Sequence, residues 1–153
     1  MRSPLVPLLP VVVPLVAVWS AGQERRALRE GIELDASASR VAREVGVVRP
    51  EAVRVLRVEM IPFPCTTLLS RIWRLTGISP ANTVGLCLRH GIFLRSDVWL
   101  DRSILAHECV HTAQYERLGG HGAFLRQYLR ECLTLGYHHS PLEREAIEKS
   151  RPF

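Results

Sequence analysis

The sequence predicts an α+β domain, and three observations carry that expectation. The pattern runs helix, strand, helix, hairpin and then three helices, so strands and helices are segregated rather than alternating. The β-branched segments are few and short, which limits the sheet to a small antiparallel one packed on the helices. The chain has 153 residues, room for one compact domain with a modest core.

The first element is hydrophobic. No residue from Ser3 to Gly22 is charged, and "LVPLLPVVVPLVAVW" makes up most of that stretch. Such a run is directed to a membrane, either as a retained transmembrane anchor or as a cleaved signal peptide with small residues Ser20 and Ala21 near the cut. A retained helix followed by Arg25, Arg26 and Arg29 predicts a cytoplasmic domain, whereas a signal peptide predicts a secreted or periplasmic one. Pro4, Pro7, Pro10 and Pro14 each remove a backbone donor. Residues 1–22 are thus anchor or signal, 23–34 a polar helical connector, and the folded domain is expected over 35–153.

Asp35 or Ser37 caps a helix through about Val45, with Val41, Ala42 and Val45 as its apolar stripe and Gly46 as its end. "AVRVLRVEMIPF" follows, with the β-branched content of a strand that stops at Pro62 or Pro64. Thr66 or Thr67 opens a short helix holding Leu68, Leu69, Ile72 and Trp73, closed by Gly77. "GLCLRHGIFLRS" gives two short strands about a tight turn at His90-Gly91. Asp101 or Ser103 then caps a long helix ended by Gly119-Gly120. The next helix carries Phe124, Leu125, Tyr128 and Leu129 up to Gly136, and the last starts after Ser140-Pro141.

Net charge is +5, and Lys149 is the only lysine. The arginines are spread from Arg2 to Arg151 without a basic run, and aromatic residues for base stacking are few. This distribution argues against a nucleic-acid partner. Cys65, Cys87, Cys109 and Cys132 have no CxxC spacing, so they read as isolated thiols rather than a zinc ribbon or a redox pair.

Chemistry concentrates in "LAHECVHTAQYERLGG", residues 105 to 120. At 100° per residue His107, His111 and Gln114 share one face, while Ala106, Val110 and Ala113 line another, so the helix is buried over most of its circumference. Two imidazoles on adjacent turns of one face bring a nitrogen each to a single tetrahedral ion, which nominates His107 and His111 as ligands of Zn2+. Glu108 sits about 100° around from His107. There it can take a proton from metal-activated water without ligating the metal.

A catalytic zinc takes a third protein ligand. The metzincin pattern would need Gly at 114 and His at 117, where this chain has Gln114 and Arg117. All three aspartates precede the motif, which leaves Glu or His from "HHSPLEREAIEKS". Glu143 shares a helix face with Ala146 and Ile147 and should point inward. It also fits a capping box with Ser140, and His138 and His139 are further candidates for the ligand.

"HECVH" followed by "LEREA" resembles the gluzincin clan of zinc metallopeptidases, in which HExxH precedes a helix bearing ExxA. The likeness covers about residues 101 to 149. It implies a zincin-like fold with His107, His111 and Glu143 as zinc ligands and Glu108 as the base. The HExxHxxQ form ending at Gln114 is also similar to small bacterial domains presumed to be peptidases. Many clan members carry Asp after the ExxA alanine, where this chain has Ile147. The clan's edge strand, which binds extended peptide, corresponds to "GIFLRS". Tyr115, Tyr137, His138 and His139 are candidates to stabilise an oxyanion. The expected activity is zinc-dependent hydrolysis of a peptide or protein substrate, with a non-enzymatic membrane-anchored binding or assembly module as the alternative.

Overall fold

The computed structural model describes residues 5–64, 81–99 and 101–153. It is of the α+β class, with five α-helices and a four-stranded sheet among the described residues. The helix expected between Thr66 and Gly77 lies outside them, as does Cys65. Cys87, Cys109 and Cys132 are buried free thiols.

After a short 3-10 turn at Val6–Leu8, helix α1 runs without a break over Leu9–Glu30. This helical stretch is long and apolar enough to cross a membrane. One of its sides is nonetheless part of the core: Leu9, Val12, Val13, Val16 and Ala27 are buried. Strand β1, Ile32–Glu33, follows and pairs with β2, Arg54–Val58. The packed structure therefore begins well before Asp35. The polarity of residues 23–34 suggested a connector, but their exposed arginines conceal buried Glu24 and Ala27 on the inward face.

Helix α2 spans Ala36–Glu44, and the Asp35 carboxylate caps it by accepting from the Ala38 amide at 2.7 Å. Strands β3, Gly85–Leu88, and β4, Gly91–Arg95, form the hairpin. Its turn is Arg89-His90, one residue earlier than expected, with Arg89 at φ 63°. Gly91 is needed for a different reason. A Cβ there would come within 2.8 Å of the Ala27 Cβ on α1, so glycine lets the sheet and the helix approach.

The sheet order is β1-β2-β4-β3, and β2 pairs with β4 in parallel. It is mixed, where antiparallel pairing was expected. The continuous apolar run Ile92-Phe93-Leu94 is buried on both faces of β4, which draws this strand inward between β2 and β3. Ile92 and Leu94 join the main core, and Phe93 packs with Ala27 and Leu88 on the other side. Consequently β3, and not the "GIFLRS" strand, is the edge strand beside the motif helix.

Three further helices complete the domain: α3, Arg102–Leu118, α4, His121–Leu135, and α5, Pro141–Ser150. The Asp101 carboxylate caps α3 through the Ser103 and Ile104 amides, and Gly119 ends it in the left-handed region at φ 95°. Helix α3 packs against α5, β3, α2 and α4, which accounts for its nearly continuous burial from Ala106 to Tyr115.

Candidate metal centre

Helix α3 presents His107 and His111 one turn apart, and α5 delivers Glu143 to the same point. The His107 and His111 Nε2 atoms are 3.2 Å apart. Glu143 Oε2 lies 3.4 Å from His107 Nε2, and Oε1 lies 3.4 Å from His111 Nε2. Ligands on a tetrahedral zinc at ~2.0–2.1 Å are roughly 3.3–3.4 Å from one another. The two imidazole nitrogens stand close to one such edge length, and each has a different Glu143 oxygen at a similar distance. The ligand atoms of the three side chains form a group that could hold a metal ion. Glu143 Oε2 is buried and has no hydrogen-bond partner, an acceptor atom left for a cation.

The two sequence readings of Glu143 turn out to involve different atoms. The Ser140 hydroxyl caps α5 by accepting from the Glu143 amide, at 3.4 Å. The Glu143 carboxylate does not reach back to Ser140 as a capping box would require, and instead turns inward, where Tyr128 donates to Oε1 at 2.6 Å. His138 and His139 sit in the 3-10 turn Tyr137–His139, outside the convergent group. Ala146 is buried beside Glu143, but Ile147 is 40% exposed and faces away from the core.

Burial opposes ionisation of Glu143, yet the adjacent His107 and His111 imidazoles and the hydrogen bond from Tyr128 outweigh it and hold the carboxyl well below the usual range. Burial likewise disfavours charge on His111, but the Glu143 carboxylate, with help from Glu108, raises it from 6.5 to about 9. Without metal, the centre is therefore a buried ion pair. The raised His111 contributes stability that is present below 6.5 and lost as pH rises through about 9. The depressed Glu143 contributes stability that is present above 4.5 and lost as pH falls through its low folded value. The thermal midpoint measured in chelator should thus be highest between these limits and fall on the alkaline side. A metal ion bound through His111 would have to displace its proton, so affinity for added zinc should rise with pH up to about 9, close to tenfold per unit for one proton. Competition titrations against a chromophoric chelator measure that slope.

Glu108 lies beside the ligands. Burial raises its pKa against the lowering pull of His107 and His111, and the carboxylate accepts the Cys87 backbone N–H of edge strand β3. Gly85 on the same strand makes room for it: a Cβ there would stand 2.5 Å from Glu108 Oε1. A cleft of about 590 Å³ opens here, lined by Gly85, Cys87, His107, Glu108, Tyr137 and Glu143 among others. Tyr137 faces this cleft and hydrogen-bonds the Glu143 carboxylate. Tyr115 is instead stacked on Phe124 at 3.8 Å, in the core.

The residue pattern had no role for Tyr128 or Gly85, and it placed Gln114 on the histidine face without assigning it one. Gln114 is fully buried. Its amide nitrogen donates to the Leu142 carbonyl at 2.9 Å and to Glu145 at 3.0 Å, which turns its oxygen toward His111 Nδ1 at 2.8 Å. An N–H on Nδ1 leaves the Nε2 lone pair free for a metal. Arg117 and Lys149 in turn grip Glu145. A buried amide three residues beyond the second histidine was the available signal. Replacing Gln114 by Ala should weaken zinc binding by about 10–100-fold with α3 still folded. Unchanged affinity in the same chelator competition would remove Gln114 from the centre.

The chain matches no protein-family model, no curated protein and no solved structure.

Proposed function

We propose that the chain is a zinc-dependent peptidase that hydrolyses a peptide bond, held at a membrane through its N-terminal helix. One observation carries this reading: ligand atoms of His107, His111 and Glu143 converge within 4.8 Å of one another, with buried Glu108 beside them at the wall of an open cleft. A structural zinc has four protein ligands, whereas the three that converge among the described residues, beside an accessible cleft, leave a position for water.

Zinc bound by His107, His111 and Glu143 would supply a Lewis acid that polarises the scissile carbonyl and acidifies water. Glu108, whose burial keeps it more basic than an ordinary carboxylate, takes a proton from the water that attacks the carbonyl carbon. It then returns the proton to the leaving amine as the C–N bond breaks. Tyr137 borders the same space with its hydroxyl on the Glu143 carboxylate, which orients that side chain toward the metal position. Strand β3 ends the sheet at the cleft, with Gly85 and Leu86 partly buried, and its edge suits an extended polypeptide because backbone pairing recognises a chain without demanding particular side chains.

The deciding measurement is metal content by elemental analysis, on protein purified without a metal-affinity tag. Close to one zinc per chain, together with cleavage of an unstructured protein that chelator abolishes, is the expected result. A folded chain that takes up no zinc when it is supplied would overturn the proposal and favour a non-enzymatic binding module.

A further inference from the structure

Helix α1 has two apolar sides, and only one of them is covered. The inward stripe, from Leu9 through Val12, Val13, Val16, Ser20 and Glu24 to Ala27, packs on α4 and the sheet. Its C-terminal half is fastened by specific contacts. Glu24 accepts from the buried His90 backbone N–H at 3.2 Å and pairs with partly buried His121 Nε2 at 2.8 Å. Gly91 and Ala27 meet without room for a methyl group between them. A helix fastened in this way cannot leave the domain to cross a bilayer without stripping Glu24 of its partners and baring the core beneath it.

The outward stripe is made of Pro7, Leu8, Pro10, Val11, Pro14, Leu15 and Val18, all exposed, with no charged or polar residue among them. Val11, Leu15 and Val18 are 62%, 57% and 74% exposed. Single exposed apolar residues are ordinary, but a contiguous stripe marks a contact surface. Exposed Arg25 and Arg29 follow the stripe on the same helix, an arrangement that complements anionic head groups beside an apolar layer. At 1.5 Å per residue, Pro7 to Val18 measures roughly 17 Å, too short to match a bilayer core of about 30 Å end on. Pro14 also lacks the N–H that the carbonyl of residue 10 would accept. Water at a membrane surface can satisfy that carbonyl, and the hydrocarbon core cannot.

We infer that α1 is an interfacial helix: it lies in the plane of an anionic lipid surface, with the Pro7–Val18 stripe in the acyl boundary and Arg25 and Arg29 at the phosphates, while its other side remains in the domain. This deepens the membrane part of the proposed function and is independent of its catalytic part. Val16, Trp19 and Ser20 of α1 also line the cleft. Docking therefore sets one wall of the cleft at the lipid surface, within reach of membrane-proximal polypeptide.

The test uses the full chain, with vesicles of phosphatidylcholine alone or mixed with phosphatidylglycerol. The protein should sediment with the anionic vesicles and be released by alkaline carbonate. The triple variant Val11→Gln, Leu15→Gln, Val18→Gln should bind at least about tenfold more weakly, since three apolar side chains lose their burial, with an unchanged thermal midpoint. Arg25→Gln with Arg29→Gln should remove the preference for anionic lipid. Retention after carbonate would mean a spanning helix and overturn the inference. So would a dimer that the triple variant dissociates, with no binding to vesicles, because a second copy would then cover the stripe. Zinc content and peptide cleavage, read on the same triple variant, should be unaltered, so failure of the docking and failure of the catalytic reading are told apart.

Discussion

Glu108→Gln should abolish peptide hydrolysis and leave zinc at one per chain. The carboxylate is not among the three converging ligands, so an amide there removes no metal bond. In the proposed mechanism it removes the group that would take a proton from the attacking water and return it to the leaving amine, a loss of about 10²–10⁴-fold in kcat. Glutamine is nearly isosteric and its oxygen can still accept the Cys87 N–H, so the packing against Gly85 and β3 is retained. The variant should fold and melt no lower than wild type, because it also removes a buried charge. Single-turnover cleavage and elemental analysis on the same preparation check both halves. Normal hydrolysis by this variant would sink the peptidase mechanism, whatever the metal content.

Glu143→Ala has the second large effect, and it falls on the metal. With one of three ligands gone, zinc should drop well below one per chain under conditions where wild type is saturated. The substitution also leaves the Tyr128 hydroxyl without its acceptor, a cost of about 1–3 kcal/mol for a buried polar group. Glu143→Gln is the companion variant, since it keeps the volume and an acceptor for Tyr128 while losing the charge. In metal-free protein, either change removes the carboxylate that does most to hold His111 up at about 9, and burial should then bring the imidazole down. A proton NMR titration of the histidine ring reads that drop directly. Full zinc retention in Glu143→Ala would reduce Glu143 to part of a helix terminus and require another third ligand.

Most of the centre was legible in the residue pattern, because local spacing creates it. HExxH on a capped apolar helix places two imidazoles on one face wherever that helix goes. The Ser140-Pro141 start and the buried partner Ala146 turn Glu143 inward by the same 3.6-residue period. Ile147 shows the limit of that period: it shares Glu143's predicted face but emerges half-exposed at the helix end. Tyr128 fits an apolar helix stripe equally well whether or not its hydroxyl finds Glu143. Gln114 likewise gains meaning only when Leu142 and Glu145, about thirty residues on, supply acceptors for its amide nitrogen.

Short-range pattern fixes the α+β class, narrows the helix caps to Asp35 or Ser37, Asp101 or Ser103, and Ser140, and singles out His107, His111 and Glu143 among the residues that could meet at a metal ion. These follow from short-range periodicity and capping, which act within a turn or two of helix. Only the tertiary structure decided that β4 enters the sheet between β2 and β3, leaving β3 as the edge beside Glu108. It alone decided that α1 belongs to the domain rather than standing apart from it. Strand order and helix docking depend on contacts between residues far apart in the chain, such as Glu24 with His121 and Ala27 with Gly91. An apolar run of twenty residues has the same local pattern whether lipid or protein covers it, and only its packing partners tell the two apart.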